Sequence, residues 1–224
     1  MMTLPLQVKQ EINEMISALI RGALVNAQHS PIIKGNVKHR CTIGFENDDK
    51  ISIAFGASAY QDIYDSLVSN KVYSMRLLDG GLVQLSYSFD MAKMMRHRLA
   101  FFPNPYAGCA NEAYCDDEEP EDRALMLLRR SVVPFPIRFD FNMDDTTFLA
   151  IEHPRSHLTL GSFQCCRIPV SSPLRPITFM RFILRNFYQF DGMSLADVLP
   201  RSSVSDLPRT IDPLEEKDIH VEIG

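Results

Sequence analysis

Two β-rich runs, KVYSMRLL (71–78) and LVQLSYSF (82–89), meet at Asp79-Gly80-Gly81. So short a connection makes them antiparallel, because parallel neighbours need a crossover of about a dozen residues or more. The two glycines supply the positive φ of a tight hairpin. The same grammar recurs along the chain. HRCTIGF (39–45) and ISIAF (51–55) flank the polar run Glu46–Lys50 and read as a second hairpin. IRFDF (137–141), a turn at Met143–Thr146 and TFLAIEH (147–153) read as a third. Further strands are expected at CRIPV (166–170) and His220–Ile223.

Helical periods are set between these strands. Val8, Ile12, Met15, Ile16, Leu19, Ile20, Ala23 and Leu24 form one apolar stripe at i, i+4, i+7, i+8 spacing. Ser58-Ala59-Tyr60-Gln61 has the capping-box pattern and predicts a helix to about Val68. Pro173–Phe190 predicts another, with Ile177, Met180, Leu184, Phe187 and Tyr188 on one side. Residues 91–131 resist assignment: Phe101-Phe102-Pro103-Asn104-Pro105 breaks any regular element, and 111–122 hold seven acids and no base, as a solvated loop does. A short helix is expected near Ala124–Arg130. Hairpins with helices between them define an α+β class. The expected architecture is a mainly antiparallel sheet, covered by an N-terminal and a C-terminal helix. Residues 1–224 read as one domain, with a polar, acidic tail from about 191.

Charge and cysteine usage narrow the function. A net charge of −5 disfavours a general polyanion binder, although a local basic groove remains compatible with it. Five cysteines in no regular framework point to a reducing, cytoplasmic setting. The N-terminus lacks the basic and apolar regions of a secretory signal, and no apolar run approaches the ~18 residues of a membrane span.

Chemistry concentrates in Glu152-His153-Pro154-Arg155-Ser156-His157-Leu158-Thr159-Leu160-Gly161. Two histidines four apart can ligate a metal, move protons or hold an oxyanion. Arg155 and Arg167 are near in sequence, and arginine forks suit phosphate. From His153 to Phe190 there are five arginines, no lysine and no acid, whereas 191–224 hold eight acids against three bases. That asymmetry points to a phosphate-bearing ligand. Arg181, Arg185 and Thr178 share a stripe of the 174–189 helix and are further phosphate candidates, or snorkelling surface residues.

Three sharper readings are each incomplete. A zinc site on His153, His157, Cys165 and Cys166 would need adjacent strand residues to face one ion. His157-Leu158-Thr159-Leu160 matches half of a two-histidine phosphoesterase motif, with no second copy. Asp140, Asp144, Asp145 and Glu152 resemble a Mg²⁺-nuclease carboxylate set, yet lack the expected lysine after Glu152 and fit turn residues as well. No metal-ligand set is complete and no cofactor is specified. Against all of them stands a simpler role, in which His153 and His157 hydrogen-bond backbone around Pro154. Met91, Met94 and Met95 beside Arg96, His97 and Arg98 suit either an adaptable partner surface or the core.

HPRSHLTLG (153–161), CRIPVSSPLRP (166–176), FILRNFY (182–188), HRLAFFPNP (97–105) and PFPIRFDF (134–141) together resemble an uncharacterised prokaryotic family, a domain of unknown function. The resemblance spans most of the chain and is most specific at His-Pro-x-Ser-His-Leu. It implies sporadic bacterial genes of mobile-element and antiphage islands, and assigns no catalytic residue. Two functions follow as expectations. The first is a non-catalytic accessory component of an antiphage-defence or toxin–antitoxin-like system, binding a protein partner of the same operon and potentially nucleic acid. The alternative is a nuclease-like phosphodiester or nucleotide hydrolase. In it His153, His157 and Asp140 are catalytic, and Arg155, Arg167, Arg181 and Arg185 hold phosphate.

Overall fold

Helix α1 (Leu4–Arg21) buries Val8, Ile12, Met15, Ile16 and Leu19, the stripe its spacing predicts. Ile20 departs from it and is 44% exposed, while Glu11 is completely buried. In this computed structural model, residues 2–48, 59–106, 129–130, 135–161, 166–189, 194–202 and 207–223 are described. Strands β1 (Val25–Gln28), β2 (Ile32–Gly35) and β3 (Arg40–Gly44) follow, then helix α2 (Tyr60–Ser69) and strand β4 (Met75–Leu77). Next come β5 (Leu82–Asp90), β6 (Lys93–Phe102), β7 (Arg129–Arg130), β8 (Ile137–Asn142), β9 (Ser156–Leu160) and β10 (Ile168–Pro169). The chain closes with helix α3 (Pro176–Phe187), strand β11 (Tyr188–Gln189) and the one-turn helix α4 (Leu195–Val198).

Nine strands form one antiparallel sheet in the order β1-β4-β5-β6-β8-β9-β10, with β3 also pairing β5 and β2 pairing β3. β7 and β11 make a separate two-stranded sheet. The class is therefore α+β, with α1 and α3 on the sheet as expected. Both helices cover the face that carries Leu85, Tyr87, Leu99, Phe101, Ile137, Phe139 and Leu158. Phe139 meets Phe179 and Phe182 of α3 edge-on, at 6.0 and 5.2 Å between ring centroids. On the opposite face α2 covers one end, where Ile63, Tyr64 and Leu67 pack with Leu82, Ala100 and Phe102. Among the described residues, no helix is long and apolar enough to cross a membrane.

The β4–β5 hairpin forms as its turn residues require: Gly80 takes φ +90° and a Cβ there would meet Asn104 Nδ2 at 2.7 Å. Three expectations need correction. β6, a central strand, lies where no element was expected. Its turn from β5 places Met91 and Ala92 at φ +48° and +62°, the two-positive-φ geometry usually supplied by Asn-Gly, so no turn signal marks it. The partner of β8 is β9, not 147–153. That expected strand is a loop folded back by the Leu149–His153 bridge, with Ile151 at φ +70°. Leu149 and Ile151 have no apolar surface to cover there and stay 60% and 46% exposed. β3 takes β2 and β5 as neighbours, and its expected hairpin partner, 51–55, lies outside the described residues. Helix α2 starts after Ala59, with no side-chain cap.

The acidic run 111–122, residues 124–128 of the expected helix and Cys109, Cys115 and Cys165 also lie outside the described residues, and Arg129–Arg130, the expected end of that helix, is strand β7, paired with β11. The acidic tail is folded against the sheet: Val221 bridges Val170, and buried Glu215 accepts the backbone N–H of Asp212 and, at 3.3 Å, of Ile151.

Candidate functional site

Strand alternation builds the site. In β8 the residues Ile137, Phe139 and Phe141 point into the core, so Arg138, Asp140 and Asn142 face the other way. Antiparallel register aligns them with neighbours from other strands. One cross-strand row is Ser86, Arg98, Asp140 and His157; the next is Lys34, Thr42, Ser88, Arg96 and Asn142. Beyond the end covered by α2, this polar face floors a cleft of about 450 Å³. His153 and Arg167 line it from the loops before β9 and β10, and Asp48, paired with Lys34, lines it from the segment after β3.

Asp140 is the hub. Its Oδ1 accepts Arg98 Nε at 2.9 Å, and its Oδ2 accepts Arg138 Nε. Burial works against the charged carboxylate, but the two guanidiniums outweigh it and hold the carboxyl below its ordinary value. His157 lies beside it, with Nε2 3.9 Å from Asp140 Oδ2. His157 Nδ1 sits 2.9 Å from the Pro154 carbonyl oxygen. A carbonyl only accepts, so Nδ1 carries the proton and Nε2 of the neutral ring is left with a free lone pair. Burial pushes the His157 pKa below 6.5; Asp140 and the Pro154 carbonyl oppose this, while His153 and Arg167 reinforce it. The imidazole is therefore neutral near pH 7, with a basic nitrogen on the Asp140 side. The His153 ring stands 5.6 Å away, centroid to centroid.

Four of the expected site residues thus converge: His153, His157, Asp140 and Arg167. Arg167 donates to the Glu152 carbonyl at 3.3 Å and has no carboxylate partner among the described residues. Three others sit elsewhere. Arg155 ties the 143–155 loop, binding Asp145 and the Met143 carbonyl and covering the Phe148 ring at 4.5 Å. Arg181 and Arg185 are exposed on α3, across the sheet from the cleft. The nuclease carboxylates do not gather either: Asp144 binds Thr146 in its own turn and Arg96 at 3.4 Å, and Asp145 is taken by Arg155. Among the described residues, no three His, Cys, Asp or Glu side chains group as metal ligands, and Cys166 is a free thiol. Sequence reading missed Arg98 and Arg138, the partners of Asp140. The alternation of IRFDFN already places Arg138 beside Asp140.

A polar, arginine-lined cleft on one face of an antiparallel sheet, with His153, His157 and Asp140 at its wall, defines an α+β protein with a candidate anion site. The chain belongs to the family described as an uncharacterized conserved protein, DUF2290, whose model matches residues 24–223. No curated protein matches the chain, and no solved structure does.

Proposed function

We propose that the cleft binds a phosphate-bearing ligand and hydrolyses it, as a phosphodiesterase or nucleotide hydrolase does. The observation that carries this reading is the convergence of His153, His157, Asp140 and Arg167, from separate strands and loops, on one cleft wall. Arg98 and Arg138 are oriented by Asp140, and Arg167 adds a guanidinium; planar forks of this kind match phosphate oxygens. In the reaction, a water loses its proton to His157 Nε2 as its oxygen attacks phosphorus. The bond to the leaving oxygen breaks, and that oxygen takes a proton from His153. The Pro154 carbonyl keeps the His157 ring oriented, and Asp140 stabilises the imidazolium that forms.

The test is turnover by the purified chain on RNA, single- and double-stranded DNA and nucleotides, with and without divalent cations. His157→Ala is expected to reduce turnover by about 10²- to 10⁴-fold, the usual contribution of a positioned base. His153→Ala, at a less buried position, is the check if His157→Ala melts early. For wild type, activity is expected to rise with pH through a value below 6.5, because the base His157 must be unprotonated. A second reading has its own support. His157 is buried and bonded to backbone, as in a structural network. In that case the chain is a non-catalytic component of a prokaryotic defence or toxin–antitoxin-like system, acting in the cytoplasm through a protein partner. Absence of turnover on every substrate, with His157→Ala melting several degrees lower, selects it.

A further inference from the structure

A second concavity, of about 580 Å³, adjoins the cleft and shares Ser88, Arg96 and Asn142 with it. It adds Lys34 and Arg40 to the cations of the cleft. Lys34, Thr42, Ser88, Arg96 and Asn142 form one continuous cross-strand row, directly beside the row of Ser86, Arg98, Asp140 and His157. Arg40 lies one step further along the same face, opposite Asp90. The two rows cross six strands, from β2 to β9. At ~4.8 Å per strand that is roughly 24 Å, much longer than one nucleotide. The floor between the cations is built of small polar side chains, Thr42, Ser86, Ser88 and Asn142, which admit a chain backbone close to the sheet.

We propose that the two concavities form one track for single-stranded nucleic acid, whose successive phosphates are met by Lys34, Arg40 and Arg96 and then by Arg98, Arg138 and Arg167. The proposal rests on the reading of the cleft as a phosphate site and extends it to a polymer. The carboxylates now facing the outer cations are Asp48 at Lys34, Asp90 at Arg40 and Asp144 at Arg96, and they do not block this: the Lys34 side chain is still 43% exposed beside Asp48. The Arg40 and Arg96 side chains are 86% and 59% exposed, and ion pairs so exposed contribute about 0–1 kcal/mol. A phosphate therefore takes the guanidinium from Asp90 or Asp144 at small cost. A track of this length fits about four nucleotides, the low end for sheet-based single-strand binders. A net charge of −5 is compatible with it, because the cations are gathered on one face.

Fluorescence anisotropy with the full chain separates the possibilities. The probes are a labelled 12-nucleotide single strand, the same sequence as a duplex, and a labelled adenosine monophosphate. The single strand is expected to bind at least about tenfold more tightly than the mononucleotide. Arg40→Ala, at a side chain that lines the second concavity and not the cleft, is expected to weaken the strand by about threefold and to lower its salt slope by ~0.7, the value of one lost contact. Its mononucleotide affinity is expected to stay unchanged. Adding Lys34→Ala, which also releases Asp48 at the edge of the cleft, is expected to weaken the strand further, to about tenfold. Equal binding of strand and mononucleotide, or a strand affinity indifferent to the variants, overturns the track and leaves the cleft reading in place. Tighter binding of the duplex overturns the single-strand assignment. Failure of every probe to bind removes the cleft reading together with the track.

Discussion

Glu11→Ala is expected to lower the unfolding free energy by about 3 kcal/mol, since the change leaves two polar groups unpaired in the interior. Glu11 is completely buried between α1 and α3. Its Oε1 accepts the backbone N–H of Ile177 at 3.0 Å, and its Oε2 accepts the Ser202 hydroxyl at 2.6 Å. The first turn of a helix always leaves N–H groups without intrahelical partners. α3 begins at Pro176 after Arg175, which makes no side-chain cap, so a carboxyl from a different helix performs the capping. Removing it orphans the Ile177 N–H and opens a void at the α1–α3 contact. Glu11→Gln keeps an acceptor for Ile177 and should lose less than half as much. Urea unfolding of the three proteins checks this, and a loss under about 1 kcal/mol for the alanine variant would sink the capping role.

Stability is also expected to fall in acid because of His97. Its ring is 3% exposed, between Tyr87 and Phe141 at 5.8 and 5.7 Å. Nε2 accepts the Leu174 N–H at 3.0 Å, so the ring is neutral with its proton on Nδ1. Burial lowers its pKa from 6.5 to about 4, outweighing the opposite pull of Asp140. Between those values the unfolded chain holds a proton that the folded chain refuses. Stability from this group is therefore complete above pH 6.5, declines as pH falls, and is exhausted below about pH 4. At about 1.4 kcal/mol per pH unit, the loss is about 2–3 kcal/mol near pH 4.5. His97→Gln retains an acceptor for Leu174 and has no such titration. The stability difference between wild type and this variant should narrow by that amount as pH falls. A difference that stays constant from pH 7 to 4.5 would contradict a neutral buried His97. His157, whose pKa is also lowered, adds to the decline in the same direction.

The polar cleft was partly legible in the chain. His153, His157, Arg167 and Asp140 stand out as chemistry-bearing residues, and the structure brings them to one wall. The arginines of the last helix read equally well as phosphate ligands, because composition counts charges without saying which face of the sheet they occupy. They lie across the sheet from the cleft. Arg155 shows the same limit at closer range: two residues from His157 in sequence, it turns to Asp145 and the ring of Phe148. Arg98 belongs to the site although 42 residues separate it from Asp140.

Periodicity and turn chemistry carry what is local. The α1 stripe, the Gly80 hairpin, the alternation of β8 and the apolar α3 are all written in the spacing of side chains, because each depends on neighbours within a few residues. β6 and the β8–β9 pairing depend on distant partners. A Met-Ala turn carries no intrinsic signal, and β8 accepts as neighbour the segment whose Ser156 and Leu158 fill the face beneath α3. Register then chooses the site. A strand has period two, so one step of slippage would send Asp140 and His157 into the core and Phe139 and Leu158 into the cleft. The pairing of β5, β6, β8 and β9 alone puts Arg98, Asp140 and His157 in one row, since burying the opposite aromatic face leaves them no other side.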